Sequence, residues 1–141
     1  MKTAAELYPS YAKEEAEQGS FYGPGDYQPI LDELGNIVLQ VDDDDYQGDS
    51  RVLYKNKDGQ YGLLIFGWGS CSGCDALQVC DKLADIQSLM DELTDKVKWF
   101  PSAEECLSYF NEHDWEGDYG WSQEKTKEFV TSAKALLKDW F

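Results

Sequence analysis

Positive charge is scarce in this sequence. Twelve lysines and arginines stand against 28 aspartates and glutamates, a formal charge of -16. Such a surface repels DNA, RNA and anionic membranes, so direct nucleic-acid and membrane binding are not expected. Long apolar runs are absent too, and no membrane-spanning helix is expected. The opening MKTAAELYPSYAKEEAEQ has no continuous apolar core, so an export signal is not expected and a cytoplasmic location is. No phosphate loop, dinucleotide fingerprint or zinc-protease motif occurs, and nothing recurs at a fixed period. The lone histidine, His113, could be drawn with Asp114 and a cysteine as base, orienter and nucleophile. Such a triad needs geometry that spacing cannot supply, and His113 is read as a surface residue. No cofactor is expected, and the protein is read as non-enzymatic.

Aromatic residues, by contrast, are plentiful: 5 Trp, 9 Tyr and 6 Phe. A disordered acidic chain would be poorer in them. With 141 residues the chain suits one acidic domain, 1–141, with a packed core. The charge is spread evenly. Up to Gln60 there are 13 acids and 5 bases, and from Tyr61 onward 15 acids and 7 bases, a net -8 in each part.

Helix formers fill residues 3–18, with Pro9 starting a new turn and Gly19 as a stop. Residues 19–29 read as a Gly/Pro/aromatic loop. A turn at Gly35-Asn36 precedes a short strand, Asn36–Val41. Asp42, Asp43, Asp44 and Asp45 then place four like charges in a row, read as a solvated loop. Carboxylates also suit a hard cation, but the spacing does not match a calcium loop. Arg51–Lys55 and Gln60–Trp68 read as a hairpin turning at Asp58-Gly59, the second strand central in its sheet. A helical pattern runs from Asp75 to about Val97. Ser102 and Glu105 make a capping box for a short helix to about Glu112. HDWEGDYGW reads as a second aromatic, acidic loop, and Ser122 as the cap of a last helix. The expected fold is α+β, a small antiparallel sheet containing a central hairpin and packed against three or four helices.

Three of the four cysteines lie in GWGSCSGCDALQVC, residues 67–80. Without an export signal they read as thiols or ligands, not disulfides. One reading is a glycine-rich strand-to-helix turn, with Cys80 in the core. A second is redox: Cys71 attacks and Cys74 resolves, activated by amides at the helix start. That element resembles thioredoxin-like proteins, although the preceding hairpin differs from their β-α-β unit. The third is a small structural zinc site, with Cys71 and Cys74 joined by Cys106 and His113.

FGWGSCSGCDALQ, with the hairpin before it and the acidic helix after it, resembles segments of uncharacterised small acidic proteins of bacteriophages and bacteria. The resemblance covers about the middle third of the chain and transfers no catalytic residue. It implies a phage-borne accessory or anti-defence context. The expected role is binding to a basic protein surface, in the manner of a nucleic-acid-mimicking inhibitor. The expected contact residues are Asp42, Asp43, Asp44, Asp45, Asp49, Trp115, Glu116, Asp118 and Tyr119. Phe21, Tyr22, Tyr27 and Trp121 are further candidate anchors.

Overall fold

A computed structural model of the chain describes residues 1–44, 47–69, 75–118 and 123–139; the side chains of Asp118 and Gln123 lie outside that description. The chain forms two compact units, each built from two stretches: 1–34 with 68–96, and 35–67 with 97–141.

In the first unit, Thr3 caps α1 (Ala4–Leu7). Its hydroxyl accepts from the Glu6 N–H, and the Glu6 carboxylate accepts from the Thr3 N–H. The bond from the Thr3 backbone holds the Glu6 carboxyl below its ordinary range. Pro9 has no N–H to leave unsatisfied and takes the first position of α2 (Pro9–Gln18). Gly19 ends that helix at a left-handed φ of 85°. Helix α3 (Gln28–Leu34) begins inside the stretch expected as loop. Helix α4 (Leu83–Lys96) buries Ile86, Leu89, Met90 and Leu93, a stripe at spacings of three and four. Each such side chain contributes roughly 1.5–3 kcal/mol on burial. The Ala4 N–H donates to Gln87 Oε1 at 3.0 Å and ties α1 to α4.

The helix expected from Asp75 starts only at Leu83. Residues 75–80 instead form a tight turn. Its Val79 N–H reaches the Asp75 carbonyl at 3.0 Å, and its Cys80 N–H reaches the Leu77 carbonyl at 3.1 Å. Leu77 and Cys80 are buried, as their spacing implied, but from a turn and not from a helix face.

The second unit holds the sheet: β1 (Ile37–Asp42), β2 (Gly48–Lys55), β3 (Tyr61–Trp68) and β4 (Lys98–Phe100), in the order β1-β2-β3-β4. Strands β2 and β3 form the hairpin. Asn56 Oδ1 accepts from the N–H groups of Asp58 and Gln60, and Gly59 takes a φ of 78°. Strand β3 is interior, in keeping with its apolar run. Helix α5 (Ala103–Glu112) starts where the Ser102 hydroxyl accepts from the Glu105 N–H. A short helix α6 (Trp115–Asp118) precedes α7 (Gln123–Lys138), and Ser122, its expected cap, lies outside the described residues. Phe110 of α5 and Phe129, Ala133 and Leu137 of α7 pack with Val41, Leu53 and Leu63 of the sheet into one core. The architecture is α+β, an antiparallel four-stranded sheet with helices against it. Among the described residues no helix is long and apolar enough to cross a membrane.

Candidate functional site: an acidic surface and two buried aspartates

Pairing of β1 with β2 sets Val41 opposite Arg51 and Asp42 opposite Ser50. Asp43 follows directly, and its N–H donates to the Asp49 carbonyl at 3.0 Å. Arg51 is wholly buried. Its Nη1 donates to Asp43 Oδ1 at 2.9 Å, and its Nε donates to Thr126 Oγ1 of α7 at 3.1 Å. Asp43 Oδ2 accepts from the Asp49 N–H at 2.8 Å, and Asp49 Oδ2 lies 4.0 Å from Arg51 Nη2. Asp43 therefore departs from the solvated loop expected of the aspartate run. A buried charge is tolerated when it is paired and hydrogen-bonded, and this carboxylate is both. Burial raises the Asp49 pKa; Arg51 opposes that and the Asp43 charge adds to it.

The other expected contact residues divide. Asp42 is exposed and accepts from Gln40 Nε2. Asp44 is exposed and pairs with Lys125 at 3.3 Å, which raises the lysine pKa; in open solvent such a pair adds little stability. Trp115 is half-buried: its ring stacks on Phe110, and its Nε1 donates to the Phe110 carbonyl at 2.9 Å. Glu116 is exposed. Asp118 closes α6, while Asp45, Tyr119 and Trp121 lie outside the described residues. Trp115 and Glu116 line a groove of about 590 Å³ together with Thr126 and Lys127 of α7. The start of α7 is thus shared by both groups, through Lys125 on one side and this groove on the other. Of the first-loop aromatics, Phe21 and Tyr27 are core residues and not surface anchors, whereas Tyr22 is exposed.

The second buried carboxylate is Asp75. Its Oδ1 accepts from the Tyr27 hydroxyl and the Gly69 N–H, each at 3.0 Å. Its Oδ2 accepts from the N–H groups of Leu77 at 3.1 Å and Gln78 at 2.9 Å. Four donors replace water around the carboxylate and close the turn upon it. Burial first, and the Asp75 charge second, push the Tyr27 hydroxyl well above its ordinary pKa.

No family model, curated protein or solved structure matches this chain. What the site can do rests on its own geometry.

Cys71 and Cys74, on which the redox and zinc readings turn, lie outside the described residues. Cys106 is a free, buried thiol on α5, and burial pushes its pKa up to about 12. His113 caps the C-terminal end of the same helix, half-buried, its ring stacked on Tyr109 at 4.9 Å and edge-on to Trp115 at 4.7 Å. Cys80 is also free and buried; burial, then the charge of Asp85, raises its thiol to about 11. Among the described residues no group of three or more His, Cys, Asp or Glu is placed to hold a metal ion.

Sequence reasoning missed Arg51 and Thr126. A signal existed for the first: Arg51 is the chain's only arginine, and it follows closely on the aspartate run. A guanidinium is the cation best suited to bridge two carboxylates out of water. Asp75 was read only as the start of a helical pattern; three of its partners lie within six residues, and the fourth, Tyr27, lies 48 residues away.

Proposed function

We propose that this chain is a non-enzymatic acidic protein that binds a basic surface on another protein. In this reading it acts in the cytoplasm, as a phage-borne accessory or an inhibitor that mimics nucleic-acid charge, and binds neither nucleic acid nor membrane itself. The observation that supports it is the distribution of carboxylates. Among the acids whose side chains are described, only Asp43 and Asp75 are buried, and both have internal partners. The others stand at or near the surface. Helix α4 gives the clearest case: behind its buried stripe, Asp85, Asp91, Glu92 and Asp95 are all exposed, with a single lysine, Lys96, at the last position. A rigid helix that presents like charges in a fixed row steers a cationic partner and repels an anionic one.

The test is a capture experiment from bacterial lysate with the immobilised protein at low and high salt. Basic proteins are expected on the resin in dilute salt and released as the Debye length shortens. Duplex DNA is expected to compete for them. The triple variant Asp85→Asn/Glu92→Gln/Asp95→Asn is expected to hold less. If nothing basic is retained even in dilute salt, the reading fails.

A further inference from the structure

We infer that the first unit carries a docking groove for an arginine-rich segment of a partner protein, with Tyr22, Val79, Glu14 and Asp81 in its lining. The inference rests on the proposed function and names the partner chemistry for one part of the surface.

Tyr22 is 91 % exposed and Val79 59 %. An isolated exposed apolar side chain is ordinary. Here both line one groove of about 470 Å³, and Glu14 and Asp81 line it with them.

The groove is held by backbone. The Phe21 N–H donates to the Asp81 carbonyl at 3.0 Å, and the Phe21 ring is buried. A Cβ on Gly23 would fall 2.4 Å from the Gln78 carbonyl oxygen and 2.5 Å from that of Leu77, so only glycine permits this approach. Tyr22 sits between these two anchored residues, and its side chain is exposed. Val79 sits in the 75–80 turn that Gly23 approaches, two residues before the Asp81 carbonyl that holds Phe21. A surface fixed in this way loses little conformational freedom on binding.

The groove chemistry selects the partner. None of its described lining residues is a lysine or arginine. Lys13 and Lys82 adjoin Glu14 and Asp81 in sequence but do not line it. A guanidinium is planar and weakly hydrated; it stacks on a tyrosine face while pairing with a carboxylate. A lysine ammonium keeps its water and gains less from the ring. The groove therefore favours arginine over lysine at equal charge.

The test uses the full chain and two labelled peptides of equal length, oligo-arginine and oligo-lysine, titrated by fluorescence anisotropy in dilute salt. The arginine peptide is expected to bind at least about fivefold more tightly. Tyr22→Ala is expected to remove most of that preference and leave the lysine peptide unchanged, with Val79→Ser acting in the same direction. So exposed a ring contributes little to folding, and circular dichroism checks that each variant is folded. The α4 triple variant is expected to weaken both peptides alike and keep the preference. Equal binding of both peptides, indifferent to Tyr22→Ala, overturns the groove and leaves the broader acidic reading standing. Failure of both peptides to bind in dilute salt overturns that broader reading and the groove with it.

Discussion

The Tyr27 hydroxyl donates to the buried Asp75 carboxylate at 3.0 Å, and the same phenol oxygen accepts the Leu77 N–H at 3.1 Å. The two side chains thereby share the Leu77 amide. Replacing Asp75 by Ala takes the acceptor from the Gly69 and Gln78 N–H groups and from the Tyr27 hydroxyl, and leaves the Leu77 N–H only the phenol oxygen. A loss of about 3 kcal/mol is expected, because each buried donor without a partner costs about 1–3 kcal/mol and the turn relaxes in part. Tyr27→Phe removes one of the four donors to Asp75 and the second acceptor of the Leu77 N–H, which keeps the carboxylate, and should cost about 1 kcal/mol. Urea denaturation measures both. Equal losses for the two variants would show that the carboxylate does not organise the turn.

The Arg51–Asp43 pair makes a sharper test of the second unit. Arg51→Met leaves the Asp43 charge buried without its cation, and a loss of about 3–5 kcal/mol is expected. Adding Asp43→Asn to that variant removes the stranded charge and should recover a large part of the loss. A thermal-melt cycle of the wild type, the two single variants and the double variant gives the coupling directly. A double variant no more stable than Arg51→Met would rule out the ion pair as the source.

Glycine substitutions separate a crowded position from an open one. Gly23→Ala drives a methyl group into backbone carbonyls that cannot swing aside. A loss of about 2–4 kcal/mol is expected. Gly25→Ala meets nothing within 4 Å and should be neutral or stabilising by up to about 1 kcal/mol through the unfolded chain. Chemical denaturation of the two variants side by side decides it; similar values would mean that the approach at Gly23 is not tight.

Cys80 and Cys106 should be chemically silent at neutral pH. Burial raises their thiols to about 11 and about 12, so almost no thiolate forms. In a Cys71→Ser/Cys74→Ser background, a disulfide reagent at pH 8 is expected to label neither until denaturant is added, and both afterwards. Rapid labelling of the native protein would contradict the packing around them.

Stability should also fall as pH rises through the Asp49 titration. The folded-state pKa of Asp49 lies above the ordinary carboxylate value. Between those two values the folded state holds the proton that the unfolded state has released, so unfolding becomes easier with rising pH. Asp49→Asn should remove this contribution. Denaturation midpoints of both proteins from about pH 4 to pH 7 test the slope; an unchanged slope would show that Asp49 is not its source.

Much of the fold was legible because its signals are local. Asn56 and Gly59 make the hairpin turn, Ser102 caps α5, and Pro9 and Gly19 bracket α2. The turn at 75–80 was not legible, since Leu77 and Cys80 at a spacing of three fit a helix face as well as a compact turn. What decides between them is the Asp75 carboxylate, which takes two amides of the turn, and Tyr27, which lies 48 residues away in sequence. Asp43 misled for a related reason. A row of aspartates reads as solvated until strand pairing delivers Arg51 to one of them. The surface pattern on α4 was legible as amphipathicity, while the Tyr22–Val79 groove depends on two loops whose proximity no local pattern encodes.

Each compact unit is interrupted by the other along the chain, since residues 35–67 lie between the two stretches of the first. No single cut separates either one from the residues of the other. During synthesis α1–α3 must wait for α4 before their own packing is complete, and the strands wait likewise for α5 and α7. Fragments made by truncation at one point would therefore each carry an orphaned stretch of at least one unit, so clean excision of a unit requires rejoining its two stretches with a linker.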